Sequence, residues 1–178
     1  PIRNEYGPDG RLTRHVDAFG HTIAYDHRLS DRREVVTNRL GASRLLEYDA
    51  RGNVTREVDE SGVVTVRTFD AHDQLLSESV GDLPPSVHVY DAARNLTETR
   101  DGLGHATRFT YDARGNVLTT TDPRGGVTTN VYDSRGNLLQ TVDPLGGTRH
   151  FTYDARGNLL TETDALGQVS SFAYDGRG

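Results

Sequence analysis

An aromatic residue followed by aspartate returns every 21 residues along most of this chain. The aromatics are Tyr48, Phe69, Tyr90, Tyr111, Tyr132, Tyr153 and Tyr174, and the aspartates are Asp49, Asp70, Asp91, Asp112, Asp133, Asp154 and Asp175. An aliphatic residue stands six positions after the aromatic, at Val54, Leu75, Leu96, Val117, Leu138 and Leu159. A fixed period of this length marks a repeat architecture, in which each unit is completed by its neighbours. Nearer the N-terminus, Tyr6 to Tyr25 is 19 residues and Tyr25 to Tyr48 is 23, which together make two periods of 21. The surplus is expected in "HRLSDRREVV", with Asp26 as the usual aspartate after Tyr25.

Each period divides into two turns and two legs. After Tyr111 come the turn Asp112–Gly115, the leg Asn116–Thr121, the turn Asp122–Gly125 and the leg Gly126–Tyr132, with lengths of four, six, four and seven. Aspartate at the first turn position bonds amides further on, proline suits the second, and glycine at the fourth supplies a positive φ. Pro123 and Pro144 occupy that second position. The residues that define the repeat are Tyr48, Asp49 and Gly52; Tyr111, Asp112 and Gly115; Asp122 and Gly125; Tyr132, Asp133 and Gly136; Asp143 and Gly146; Tyr153, Asp154 and Gly157; and Asp164 and Gly167. Legs rich in Thr, Val, Leu and aromatics are strand-length. The expected fold is all-β: an antiparallel β-hairpin ribbon, two strands per 21-residue repeat, that twists and curls as a segment of a spiral or shell. Residues 1–178 read as a single array of about eight repeats and roughly 16 strands. The array is irregular in 1–47 and 70–95, and both ends look cut from a longer run of repeats that would cover the open edges.

Register arithmetic sharpens the expectation. A turn that pairs Asp112 with Asn116 places Tyr111 opposite Val117. If both turns behaved so, the repeat would close in 20 residues, so the 21st must be absorbed by a bulge or wider loop. Gly125-Gly126 and Gly146-Gly147 point to the second turn as its place. Phe109, Tyr111 and Val117 should then share a face, as should Phe151, Tyr153 and Leu159, with aromatic–aliphatic pairs contributing roughly 0.2–1 kcal/mol each. Two units break the pattern: "DAHD" and "DAAR" lack the turn glycine, and Pro84-Pro85 interrupts a strand start. These features predict costlier turns and a bend or longer loop around Gly81 to Ser86.

Composition agrees with an extended fold over a globule. Only 34% of residues are hydrophobic, 19 are glycine, and Cys, Met and Trp are absent, so any core is thin. Such a chain would tend to disorder were its strand formers not so regularly spaced. All 20 basic residues are arginine and the net charge is −6, which argues against nucleic-acid or anionic-membrane partners. Zero cysteine excludes disulfides and thiolate metal sites and fits a protein handled outside the cytosol. No apolar run approaches the ~20 residues of a membrane span, and no signal peptide is visible.

The same residues offer little chemistry. Carboxylates recur once per two strands on each ribbon edge, roughly 9.6 Å apart, too far to share a calcium ion that needs six to eight oxygens. Glu57 with Asp59 and Glu162 with Asp164 combine one strand carboxylate with one turn aspartate, a poor acid–base pair. His15, His21, His27, His72, His88, His105 and His150 show no metal-ligand spacing, and Ser43 in "GASRL" lacks the second glycine of a nucleophile elbow. No catalytic, cofactor or metal residue is assigned, and no enzyme activity is expected.

The stretch "YDARGNVLTTTDPRGGVTTNVYDSRGNLLQTVDPLGGTRHFTYDARGNLLTETD" resembles the YD repeats of Rhs proteins, with relatives in ABC toxin C components and teneurins. The likeness is strong from Tyr90 to Gly178 and weaker before Tyr48. It implies a β-ribbon that spirals into a hollow shell, a structural and non-catalytic role in enclosing a C-terminal toxin or effector domain. It also implies secretion or extracellular delivery as a bacterial effector, by type VI secretion or a larger injection complex. The implied partners are flanking Rhs repeats of the same protein, an enclosed toxin domain, and secretion-apparatus proteins or a chaperone. Asp122-Pro123 and Asp143-Pro144-Leu145-Gly146 resemble fragments of the self-cleaving segment that ends such shells, yet both fall in phase with ordinary repeats. The alternative reading is a cell-surface adhesion or carbohydrate-binding module, whose aromatic rows would be exposed and contiguous.

Overall fold

A computed structural model describes residues 2–175. The chain divides into two compact units, residues 1–87 and 88–178. The first holds β1 (Arg3–Tyr6), β2 (Leu12–Val16), β3 (Thr22–Arg28), β4 (Arg33–Thr37), β5 (Ser43–Tyr48), β6 (Val54–Val58), β7 (Val64–Phe69) and β8 (Leu75–Val80), with one 3-10 turn at Leu29–Asp31. The division falls within β9 (Ser86–Tyr90). The second holds β10 (Leu96–Arg100), β11 (Ala106–Tyr111), β12 (Val117–Thr121), β13 (Val127–Tyr132), β14 (Leu138–Val142), β15 (Thr148–Tyr153), β16 (Leu159–Thr163) and β17 (Val169–Ser171). Each strand pairs antiparallel with its neighbours in sequence, so each unit is an all-β meander. No helix among the described residues is long and apolar enough to cross a membrane.

The faces follow the expected alternation. In β11, Thr107, Phe109 and Tyr111 are half-buried while Arg108 and Thr110 are exposed, and in β15 Phe151 and Tyr153 repeat the pattern. Tyr111 lies opposite Val117, and Tyr153 opposite Leu159. The core is thin: Ala106 is the one buried hydrophobic residue among those described. The accessible surface is 11743 Å², against roughly 8,600 Å² for a globule of this length. Less surface leaves water than in a globule, so the fold leans on its hydrogen-bond ladder, its turns and one half-covered face.

The extra residue of the regular repeats is absorbed by a bulge, but in the other leg from the one expected. Thr110 pairs with Thr119 and Tyr111 with Val117, which leaves Leu118 as the bulged residue just after the Tyr–Asp turn. The same shift leaves Leu139 over in β14 and Leu160 in β16. The second turn cannot absorb it, because both turns share one hydrogen-bond pattern: Gly115 N donates to Asp112 O as Gly125 N does to Asp122 O. Gly126 and Gly147 are therefore not loosened loop residues. A Cβ there would stand 2.6 Å from Asp122 Oδ2 and 2.5 Å from Asp143 Oδ2, so these glycines give the turn carboxylate room to fold back.

Three irregularities also resolve. Asp26 is not a turn residue; it lies in β3 opposite Val35, and the chain reverses later, through Leu29–Asp31 and Arg32 at φ 53°. The loop between β8 and β9 is residues 81–85, no longer than residues 122–126 between β12 and β13, though its bonding differs: Gly81 N donates to Val64 O and Leu83 N to Val80 O. The turns without glycine keep the standard geometry, with Asp73 at φ 65° and Arg94 at φ 70°. The ladders on either side fix the turn, and a left-handed L-residue bears a strain of roughly 1–2 kcal/mol. Arg94→Gly is accordingly expected to raise stability by about 1 kcal/mol, measurable by urea unfolding.

Candidate functional site

The repeated hairpin turn is the most conspicuous local construction in both units. At Asp112, the main chain closes with Asp112 N to Asn116 O at 3.0 Å and Gly115 N to Asp112 O at 3.1 Å. The carboxylate then takes three further donors. Oδ1 accepts from Arg114 N at 2.8 Å and Asn116 N at 2.9 Å, and Oδ2 accepts from Asn116 Nδ2 at 2.8 Å. Asp49, Asp133 and Asp154 repeat the arrangement with Asn53, Asn137 and Asn158. On the other turn, Asp122, Asp143 and Asp164 each accept from two amides, those of Arg124 and Gly126, Leu145 and Gly147, and Leu166 and Gln168. Gly52, Gly115, Gly125, Gly136, Gly146, Gly157 and Gly167 all stand at positive φ.

These carboxylates are engaged in closing their own turns. The Asn53 side chain, with the amides of Asn53 and Arg51, holds the Asp49 carboxyl down to about 2. The Asn side chain and amide likewise lower Asp91, Asp112 and Asp133, and the Asn158 amide and side chain lower Asp154. A carboxylate so held is a poor proton acceptor at neutral pH. Asp122-Pro123 and Asp143-Pro144 are ordinary turns of this kind.

The asparagine after the turn's left-handed residue has no role readable from turn composition alone. Its recurrence at Asn53, Asn95, Asn116, Asn137 and Asn158 was the available signal. At the second turns a histidine can do the same work: His21 Nδ1 lies 3.1 Å from Asp17 Oδ2, and His105 Nδ1 2.8 Å from Asp101 Oδ2.

The tyrosines tie one repeat to the one before. Tyr111 Oη donates to Leu96 O at 2.7 Å, and Tyr132 Oη donates to Val117 O at 3.1 Å. Val117 adjoins the bulge, where the regular ladder is interrupted. Its carbonyl also accepts from Asn130 Nδ2 at 3.0 Å. Where the bulged residue is threonine, its hydroxyl reaches back across the hairpin, from Thr13 to Glu5 O and from Thr55 to Glu47 O. Tyr111→Phe should cost about 1–1.5 kcal/mol, since it removes a donor from a part-buried carbonyl while keeping the ring. Thermal unfolding of the single variant measures it.

The carboxylate pairs considered from sequence are kept apart. Glu57 bonds Arg44 at 2.6 Å and Arg67 at 3.2 Å, while Asp59 accepts from Ser61 N and Val63 N in its own turn. Arg67 continues the row to Glu78 at 2.6 Å. Glu162 faces Arg149 at 3.6 Å, and Asp164 closes its turn. His27 bridges Glu34 and the Leu12 carbonyl, and His15 meets Asn4. A shallow hollow of about 520 Å³ lies between adjacent turns of the second unit, lined by Asp91, Asn95, Phe109, Tyr111 and Arg114. Its carboxylates are turn-closing ones, and it gathers no set of groups suited to catalysis.

Comparison with known proteins places the repeat. A family model described as RHS Repeat matches residues 48–82, 90–127, 132–167 and 153–178. No curated protein sequence matches the chain. Among solved structures, a TcdB2–TccC3 complex without its hypervariable C-terminal region aligns at TM-score 0.68 with 17% identity, over 98% of this chain and 14% of that one. The Tc holotoxin pore of Photorhabdus luminescens, carrying a TccC3 mutation, aligns at TM-score 0.64 with 14% identity, over 91% of this chain and 12% of that one. At these identities the likeness is one of fold, and the chain spans a small part of each matched structure.

Proposed function

The chain belongs to the RHS repeat family, and from that membership we propose that it is a structural length of an Rhs-type β-shell that encloses a C-terminal toxin or effector domain for secretion and delivery. The observation that carries the reading is that the repeat bonds only within its own turns and to adjacent repeats among the described residues. The turn aspartates bond within their own turns, and the hydroxyls of Tyr111 and Tyr132 reach back to the preceding repeat, while Asn53 and Arg135 reach forward to the next turn. A unit built this way can be added indefinitely, which suits a wall. The bulge in alternate hairpins, as between β11 and β12, adds local right-handed twist, which helps a ribbon to curve.

No chemistry is assigned to this segment; the enclosed passenger would carry it. Flanking repeats of the same protein would continue the ladder, and delivery would run through a type VI apparatus or a larger injection complex. The alternative of adhesion or glycan binding calls for open aromatic faces. Here the rings of Tyr111, Tyr132 and Tyr153 are half-buried, and the hydroxyls of Tyr111 and Tyr132 are bonded to main chain, which favours the wall.

Limited proteolysis of the full-length protein tests the proposal. The C-terminal domain should resist protease while the repeats are intact and become cleavable once they are unfolded. A C-terminal domain digested at the same rate in both states would refute enclosure.

A further inference from the structure

One Tyr–Asp turn lacks an arginine that four of its counterparts carry. The third position of these turns holds Arg51, Arg114, Arg135 and Arg156, but Ala93 stands there in the turn that opens at Asp91. In two counterparts the guanidinium bridges to the following turn. Arg135 Nη1 donates to the Ala155 carbonyl at 2.6 Å. Arg51 Nε meets Asp73 Oδ1 at 2.9 Å, while its Nη2 donates to Asp49 Oδ2 at 3.3 Å. An alanine cannot make that bridge, and the hollow of about 520 Å³ lies beside it, lined by Asp91, Ala93, Phe109, Tyr111 and Ala113. Asp91 is exposed, whereas Asp49, Asp70, Asp112, Asp133 and Asp154 at the same turn position are half-buried.

The lining fits the missing group. Ala113 stands 20 residues beyond Ala93, as Ala155 stands beyond Arg135, so its carbonyl is the corresponding acceptor. Asp91 supplies the carboxylate that Asp49 offers to Arg51. Asp49 Oδ2 accepts from the Asn53 side chain and from Arg51 together, so the Asn95 bond to Asp91 Oδ2 leaves that oxygen room for a second donor. Phe109 and Tyr111 add rings, on which a planar guanidinium can stack while its N–H groups reach oxygen. The Tyr111 ring is held in place by its bond to the Leu96 carbonyl. Arg94, one position after Ala93, starts in the other direction. A Cβ at the fourth turn position faces the preceding turn, as at Gly136, where it would meet Asn116 Oδ1 at 3.5 Å.

We propose that this hollow is a receptor for the guanidinium of an arginine side chain brought in by another stretch of polypeptide. The Ala113 carbonyl and the Asp91 carboxylate take its N–H groups, and the rings take its flat face. All 20 basic residues of the chain are arginine, so repeats of like composition carry this cation and no lysine. A single side chain held this way binds weakly, with a dissociation constant of roughly 1–10 mM. That strength suits a segment tethered close by, whose effective concentration is also about millimolar. The site is built from two adjacent turns and goes beyond the shell reading, whose protease test is independent of it.

Titration of the isotope-labelled chain with N-acetyl-arginine methylamide at constant ionic strength, followed by amide NMR shifts, tests the site. Saturable shifts are expected at residues 91–95 and 111–115, about tenfold weaker in affinity for the neutral citrulline counterpart. Ala93→Arg should supply the guanidinium in place, remove those shifts and raise the melting temperature by about 1–3 °C. Arg135→Ala should open a second site, with new shifts at residues 133–137 and 153–157. No saturation by about 100 mM, tenfold above the weakest expected constant, would overturn the proposal. So would an equal response to the citrulline compound, shifts that survive Ala93→Arg, an Ala93→Arg chain that melts no higher than its parent, or an Arg135→Ala chain with no second site.

Discussion

Acidification is expected to unfold this protein between about pH 4 and pH 2, as a consequence of its turns. The Asp49 carboxyl is held at about 2 against an ordinary value of 3.8. Asp91, Asp112 and Asp133 are lowered by the side chain and amide of the following asparagine, Asp101 by the His105 side chain, and Asp154 by the Asn158 amide. A folded-state value below the unfolded one means the folded chain binds these protons more weakly. The stabilisation is complete above 3.8 and is lost as the pH falls through the folded values. Because the group recurs in every regular repeat, the losses accumulate along the chain while the 20 arginines stay charged and repel. Far-UV circular dichroism against pH should show a plateau at neutral pH and a steep fall below 3.8. Asn53→Ala should move part of that fall to higher pH. A chain equally stable at pH 2 and pH 7 would mean that the turn carboxylates do not hold the fold.

Replacing one turn glycine by a β-branched residue should have the largest effect of any single surface substitution. Gly136 stands at φ 90°, and a Cβ there would meet Asn116 Oδ1 at an ordinary 3.5 Å. The cost of Gly136→Val is then one of backbone conformation, about 1–3 kcal/mol, and Gly136→Ala should cost somewhat less. Ser134→Ala in the same turn serves as the control, expected within about 0.5 kcal/mol of the parent. In a repeat architecture the damage stays near its source. Hydrogen exchange should therefore quicken at Asp133–Leu138 and their partners in β13 more than in β11. Uniform loosening, or a Gly136→Val chain as stable as its parent, would contradict this account of the turn.

Much of this was legible in the residues, for identifiable reasons. The 21-residue spacing and the Asp-x-x-Gly words located the strands and turns because turn chemistry is local. The pairing of Tyr111 with Val117 followed from counting across one hairpin. The place of the bulge did not follow, because a period gives the number of residues per repeat but not the leg that absorbs the odd one. Gly126 and Gly147 were misleading there: their lack of a side chain serves the fold-back of Asp122 and Asp143, not a wider loop. Asp73 and Arg94 show the opposite error. A missing glycine predicts a different turn, yet the ladders on both sides enforce the left-handed residue. The asparagine clamp escaped notice because asparagine after glycine reads as turn composition until the second carboxylate oxygen is seen to need a donor.

The most direct measurement is a cryo-electron microscopy map of the full-length protein. The account predicts that residues 48–178 lie in the wall of a hollow β-shell, each hairpin continuing the ladder of the last, with the C-terminal domain as density inside the cavity. A map in which these repeats form a solid stalk or an outer binding surface, with the C-terminal domain open to solvent, would contradict it.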